Sequence, residues 1–289
     1  MSCSLGLLCE CGGSFMAASS DYHAAKLVIV GAPMDFTVSF RPGSRGGPQA
    51  IRLASPGLEE YSLYAGKDLR DVPFHDAGDL LLPIGNTVRS LEMVEKAVSL
   101  ILDDGKFPLL LGGEHLVSLG ALRAAARKFP GLAVVHFDAH ADLRTNYLGE
   151  PYSHAAVMYH VHHELGAELF QFGIRSATAE ERAYARQHTH FYPFHVLEPL
   201  VEAKKLLQGR PVYVTVDIDV VDPAFAPGTG TPEPGGITAA ELLAAIPLLA
   251  RLNVVAFDLV EVAPLYDPAG ITAMLAAKMV REAVLAFTR

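Results

Sequence analysis

The chain has 289 residues, is 51% hydrophobic and 19% charged, and carries a formal net charge of −9, an ordinary profile for a globular protein. No basic stripe interrupts the acidic balance, which argues against nucleic acid or an anionic membrane as partner and suits a small cationic substrate. No apolar run has the length of a membrane-spanning helix.

Nothing in composition marks a linker, repeat or charge block. The expected organisation is a short extension over residues 1–15 followed by one domain over 16–289. Cys3, Cys9 and Cys11 all fall in that extension, so no disulfide is available to the core, which fits a reducing, cytoplasmic setting. The same stretch lacks the basic and apolar regions of a signal peptide.

Taken in chain order, short apolar runs alternate with segments of helical period. Strands are predicted at about 27–31, 72–75, 108–111, 132–137, 169–173, 190–193, 211–216 and 253–258. Asn86-Thr87 opens a helix that runs to Gly105, a helix-stopping residue. Thr238 and Glu241 have the spacing of a capping box, and a final helix starts near Ile271. This alternation predicts an α/β chain, a three-layer α/β/α sandwich around a mainly parallel sheet of about eight strands. Two long loops, at about 32–47 and 217–237, interrupt the pattern and are candidates for function.

The chemistry-bearing residues follow predicted strands. Val134-Val135-His136-Phe137 leads into Asp138-Ala-His140-Ala-Asp142, and Val212-Tyr213-Val214-Thr215-Val216 into Asp217-Ile-Asp219. Side chains two apart in extended chain share a face, so each pattern aims its carboxylates or imidazole one way. A third strand ends in Gly112-Gly113-Glu114-His115. Converging carboxylates repel unless a cation lies between them, and two divalent ions are the simplest source of that charge. The expected ligands are His115, Asp138, His140, Asp142, Asp217 and Asp219, with bridging carboxylates and a water or hydroxide completing the shells. Two imidazoles and four carboxylates without thiolate favour Mn²⁺, with Zn²⁺, Ni²⁺ and Co²⁺ as alternatives. Asp222-Pro223 reads as a structural turn. The run His160-Val-His162-His163-Glu164 lacks zinc-protease spacing and reads as an exposed helix end.

GGEH, FDAHAD and DIDVVDPAFAPGTGTPEPGG, in that order, with VGAPMDFTVSFRPGSRGGPQAIR, FGIRS and FDLVEVAPLYD, resemble the ureohydrolase family of arginases, agmatinases and guanidino-acid hydrolases from about residue 27 onward. The resemblance implies a binuclear manganese site, trimers or hexamers, a cytoplasmic location, and hydrolysis of a guanidinium to urea and an amine. It assigns His115 and Asp142 to one ion, His140 and Asp219 to the other, and Asp138 and Asp217 to both. It makes Glu261 the partner of the substrate guanidinium, His154 a proton shuttle and Thr231 a site-lining residue; the mechanism expected on that basis has Asp142 relay the nucleophile's proton. The segment 143–154 lacks the Ser-Gly-Asn-x-His-Gly stretch of arginases and looks like the agmatinase branch. Glu150 or Glu233 could then face the ammonium tail of agmatine, although no sequence pattern places either there. Arg144, if it pointed inward, would favour an acidic tail and keep 4-guanidinobutyrate, guanidinopropionate and arginine as alternatives. A metal-dependent amide hydrolase of related architecture is the remaining reading.

Overall fold

The computed structural model describes residues 3–10 and 12–288. One sheet organises them. Its strands are β1 (Cys9–Glu10), β2 (Leu27–Ala32), β3 (Phe74–Leu80), β4 (Phe107–Gly112), β5 (Ala133–Phe137), β6 (Glu168–Ile174), β7 (Thr189–Pro193), β8 (Pro211–Asp217) and β9 (Asn253–Val260). They lie side by side in the order β1-β3-β2-β4-β9-β8-β5-β6-β7. Every neighbouring pair is parallel except β1 against β3.

Alternation along the strands builds two cores, one on each face. Leu27, Ile29, Val135, Val214 and Phe257 pack toward helices Leu197–Leu207, Ala239–Leu249 and Ile271–Phe287. Val28, Val30, Val134, Tyr213 and Ala256 pack toward helices Thr87–Asp103, Val117–Lys128 and Val157–Leu165. Coverage on both faces explains why β2 and β5 are apolar at nearly every position and fully buried. The chain is therefore the expected three-layer α/β/α sandwich.

The helix signals act as expected. The Asn86 side chain accepts the Arg89 N–H at the start of Thr87–Asp103, and Thr238 and Glu241 form a complete capping box. Gly105 leaves the helix with φ of 72°, a conformation costly for any residue with a Cβ.

Two strands depart from expectation. The second predicted strand, at 72–75, begins at Phe74 and runs to Leu80. Its latter half, Asp76-Ala-Gly-Asp79, has the composition of a turn. It stays extended because Arg52, itself buried, donates to both Asp76 oxygens at 2.8 and 2.9 Å and to Asp79 Oδ1 at 2.5 Å. The ninth strand is β1, in the stretch set apart as an extension. Cys9 and Glu10 pair with Leu80 and Asp79, Leu5 and Phe15 are buried, and Asp76 Oδ2 accepts the Phe15 N–H at 2.8 Å. Cys9 is half-buried in this edge strand, and Cys11 lies outside the described residues.

Candidate metal centre

The four central strands β4, β9, β8 and β5 end side by side. Their carboxyl ends deliver His115, Glu261, Asp217 and Asp138, the place where open α/β sheets gather ligands. The glycines before His115 are there for close packing. A Cβ on Gly113 would sit 2.0 Å from the Met34 carbonyl oxygen, and one on Gly112 would sit 2.5 Å from Val260. That approach brings the first long loop against the Gly-Gly-Glu-His turn, where the Glu114 N–H donates to the Met34 carbonyl at 2.7 Å.

The six aspartates and histidines singled out in the sequence converge. His115 Nδ1 lies 3.0, 3.2 and 3.4 Å from carboxylate oxygens of Asp138, Asp142 and Asp217. His140 Nδ1 lies 3.0 Å from Asp219 Oδ2 and 3.5 Å from Asp138 Oδ1. All six are buried except His140, whose side chain is 27% exposed. His115 Nδ1 is aligned for a hydrogen bond with none of its three oxygens, while Nε2 of the same ring meets Thr215 Oγ1 at 2.9 Å. A ring nitrogen aimed between several carboxylates, with its other nitrogen engaged behind it, could serve as a metal ligand.

Electrostatics point the same way. Asp217 is held well above the ordinary aspartate value, first by burial and then by the charges of Asp219 and Asp138. Asp142 and Asp219 are also raised, by burial and then by Asp138. Burial alone would lower His140, yet Asp219 and Asp138 push it up to about 12. Burial opposes ionisation of Asp138 as well, but the His136, His115 and His140 imidazoles beside it hold it well below the ordinary value; four crowded carboxylates favour positive charge among them, and the donor set fits divalent cations.

Beside this cluster is a cavity of about 270 Å³ whose walls include Ser39, Asp142, His154, Asp217 and Thr231. Thr231 Oγ1 donates to Asp219 Oδ2 at 3.3 Å. His154 is buried, with Nδ1 3.6 Å from Glu261 Oε1 and Nε2 3.0 Å from Ser39 Oγ. Burial opposes its protonation, but Glu261, Asp142 and Glu114 outweigh that and raise its pKa. Glu261 is buried. Its Oε1 accepts the His115 N–H at 2.8 Å, and its φ of 65° is a strained value for a residue with a Cβ.

Several neighbours escaped the sequence reading. Thr37 and Ser39 come from the first long loop, whose length was the only signal. The Thr37 N–H and hydroxyl both donate to Glu114 Oε2, and its Oγ1 accepts the His154 N–H. His136 Nε2 is 2.8 Å from Asp138 Oδ2, and His115, His136, Asp138 and Asp142 bring ligand atoms within 4.8 Å of one another. The two-residue spacing that joined Asp138 to His140 extends backward to His136 and would have found it. Neither of the two candidates for facing a substrate tail, Glu150 and Glu233, is among the residues lining the cavity, whereas Arg144 and Glu181 are, 3.8 Å apart.

Two other expectations meet their structure here. Asp222 accepts the N–H groups of Ala224, Gly235 and Gly236, the expected structural turn. His160 is buried rather than at an exposed helix end. Its two nitrogens reach Glu164 at 2.7 Å and the Pro151 carbonyl at 2.8 Å, so helix Val157–Leu165 uses it to anchor the preceding loop.

Fold and site together define a member of the arginase family, whose model matches residues 25–286; the chain belongs to it. Within that family, the agmatinase of Bacillus subtilis (strain 168) is 51% identical over 282 residues, covering 96% of this chain and 97% of that one. The solved agmatine ureohydrolase of Thermoplasma volcanium superposes with a TM-score of 0.85 at 36% identity, covering 94% and 93%. The proclavaminate amidino hydrolase of Streptomyces clavuligerus superposes with a TM-score of 0.87, also at 36% identity, covering 96% and 97%. No helix among the described residues is long and apolar enough to cross a membrane.

Proposed function

We propose that this chain is a binuclear-metal hydrolase that cleaves agmatine to putrescine and urea, working as a cytoplasmic homo-oligomer, trimer or hexamer. The observation that carries the metal site is His115 Nδ1, held 3.0–3.4 Å from three carboxylates and hydrogen-bonded to none. The substrate follows the agmatinases that are 51–52% identical over nearly the whole chain.

In this reading His115 and Asp142 would hold one ion, His140 and Asp219 the other, and Asp138 and Asp217 would be shared between them. The donor set suits Mn²⁺, with Ni²⁺, Co²⁺ or Zn²⁺ as alternatives. When bound, the ions offset the carboxylate charge and make hydroxide available near neutral pH.

The chain's own groups do the rest. Glu261 grips the planar guanidinium through paired hydrogen bonds, the strong geometry for a carboxylate and such a cation. Thr231, tied to Asp219, lines the approach. Asp142 takes the nucleophile's proton. His154, whose Nδ1 faces Glu261 and whose pKa the nearby carboxylates raise, supplies the proton the departing amine needs.

A second reading, a guanidino acid as substrate, draws on Arg144, a cation on the cavity wall. Urea release measured in parallel on agmatine, arginine, 4-guanidinobutyrate and guanidinopropionate separates the two. Agmatine should give the highest kcat/KM, and a preference for any of the acids would overturn the assignment.

A further inference from the structure

We propose that His136 is a positioning residue for the metal centre. Its protonated Nε2 fixes the Asp138 carboxylate, and Gln171 sets the tautomer that makes this work. The inference rests on the two-ion reading above and deepens it.

The argument starts at Gln171, fully buried on β6 beside β5. Its Nε2 lies 2.8 Å from the Ala141 carbonyl oxygen. A carbonyl only accepts, so the side-chain atom there must be the amide nitrogen; the flipped amide would set two oxygens against each other. That nitrogen also lies 3.1 Å from His136 Nδ1. An amide nitrogen has two hydrogens and no lone pair to offer, so His136 Nδ1 is the acceptor. The ring proton then resides on Nε2, which donates to Asp138 Oδ2 at 2.8 Å.

Two consequences follow for the cluster of His115, His136, Asp138 and Asp142. His136 has no lone pair left facing the cluster, so it is a donor to a ligand and not itself a ligand. Asp138 is gripped at both ends, since its Oδ1 accepts the His140 N–H at 2.5 Å. Each of its oxygens keeps a second lone pair, which is what a carboxylate shared between two ions requires. Gln171 also ties the Ala141 carbonyl, inside the Asp-x-His-x-Asp turn, to the same ring. One buried amide thus orients two parts of the centre.

The test is Mn²⁺ titration of chelator-stripped protein, with free Mn²⁺ followed by electron paramagnetic resonance, beside circular dichroism of the metal-free chains. His136→Phe should weaken the binding of at least one of two ions by about 10–100-fold, the usual effect of losing such a partner. His136→Gln, which retains an N–H donor, should recover part of that loss. Gln171→Leu should weaken binding in the same direction while leaving His136 in place, and it keeps the inference testable if His136→Phe fails to fold. Folded His136→Phe or Gln171→Leu protein that binds two ions as tightly as the parent overturns the inference. A Gln171→Leu chain that binds more tightly does so too, because His136 would then be a ligand freed to coordinate. A parent chain that binds no ions removes instead the reading on which the inference rests.

Discussion

His154 Nδ1 lies 3.6 Å from Glu261 Oε1, the same oxygen that accepts the His115 N–H. One carboxylate thus joins the strand-end turn that bears a candidate ligand to the candidate proton donor. Nearby carboxylates raise His154 despite its burial, so its protonated form persists to higher pH than in a free imidazole. His154→Ala should lower kcat by roughly 10²–10⁴-fold, the range for general acid–base groups, with ion content unchanged. In the parent, kcat should fall as pH rises through the raised pKa, and the variant should lose that limb. A pH–rate profile of both enzymes checks this, and an unaltered basic limb would remove His154 from the proton path.

Glu114 stands behind that pair. Burial is the main force pushing its carboxyl up to about 7, against the Thr37 N–H and with the charge of Glu261. The folded chain therefore holds a proton there that the unfolded chain has already released above its ordinary value of 4.5. The Glu114 contribution to stability should fall as pH rises from about 4.5 to 7 and change no further above that. Glu114→Gln in metal-free protein should flatten this dependence, by on the order of 3 kcal/mol across the window. Denaturant midpoints measured from pH 5 to 8 decide the point, and parallel curves for the two proteins would contradict it.

Arg52 offers a test in the fold. It is buried, and it neutralises Asp76 and Asp79 in the strand whose composition reads as a turn. Arg52→Met leaves that charge without its partner and should cost about 3–5 kcal/mol. Thermal denaturation should show a clear drop in Tm, partly restored by adding Asp76→Asn. A Tm equal to that of the parent would mean the strand is held by other forces.

Arg144 tests substrate choice. Its Nε is 3.8 Å from Glu181, and both line the cavity. Removing the cation should favour the positively charged tail of agmatine over an acidic one. Arg144→Ala should therefore raise the ratio of kcat/KM for agmatine over 4-guanidinobutyrate, by about tenfold for a lost contact of this size. A fall in that ratio would place Arg144 on the agmatine side.

Most of the layer structure was legible because buried parallel strands are apolar at most positions and leave a near-continuous mark. The convergence of His115, Asp138, His140, Asp142, Asp217 and Asp219 was legible because strand ends and two-residue spacing fix where side chains go. What escaped depends on long-range partners. The β3 boundary was hidden because Asp76 and Asp79 become strand residues only when Arg52 arrives from another element. Ser39 and Glu181 reach the cavity, and Thr37 reaches Glu114 and His154, from a loop and a helix start whose course no local pattern encodes. The pairing of β1 with β3 involves two residues, too few to show a period.

The central claim is that two divalent cations bind among these six side chains and are required for urea production. Elemental analysis of chelator-stripped and Mn²⁺-reconstituted protein, paired with urea release from agmatine, tests it most directly. The account predicts about two ions per chain after reconstitution, loss of activity on stripping and its return with the metal. Full activity in protein shown to contain no divalent ion would contradict it.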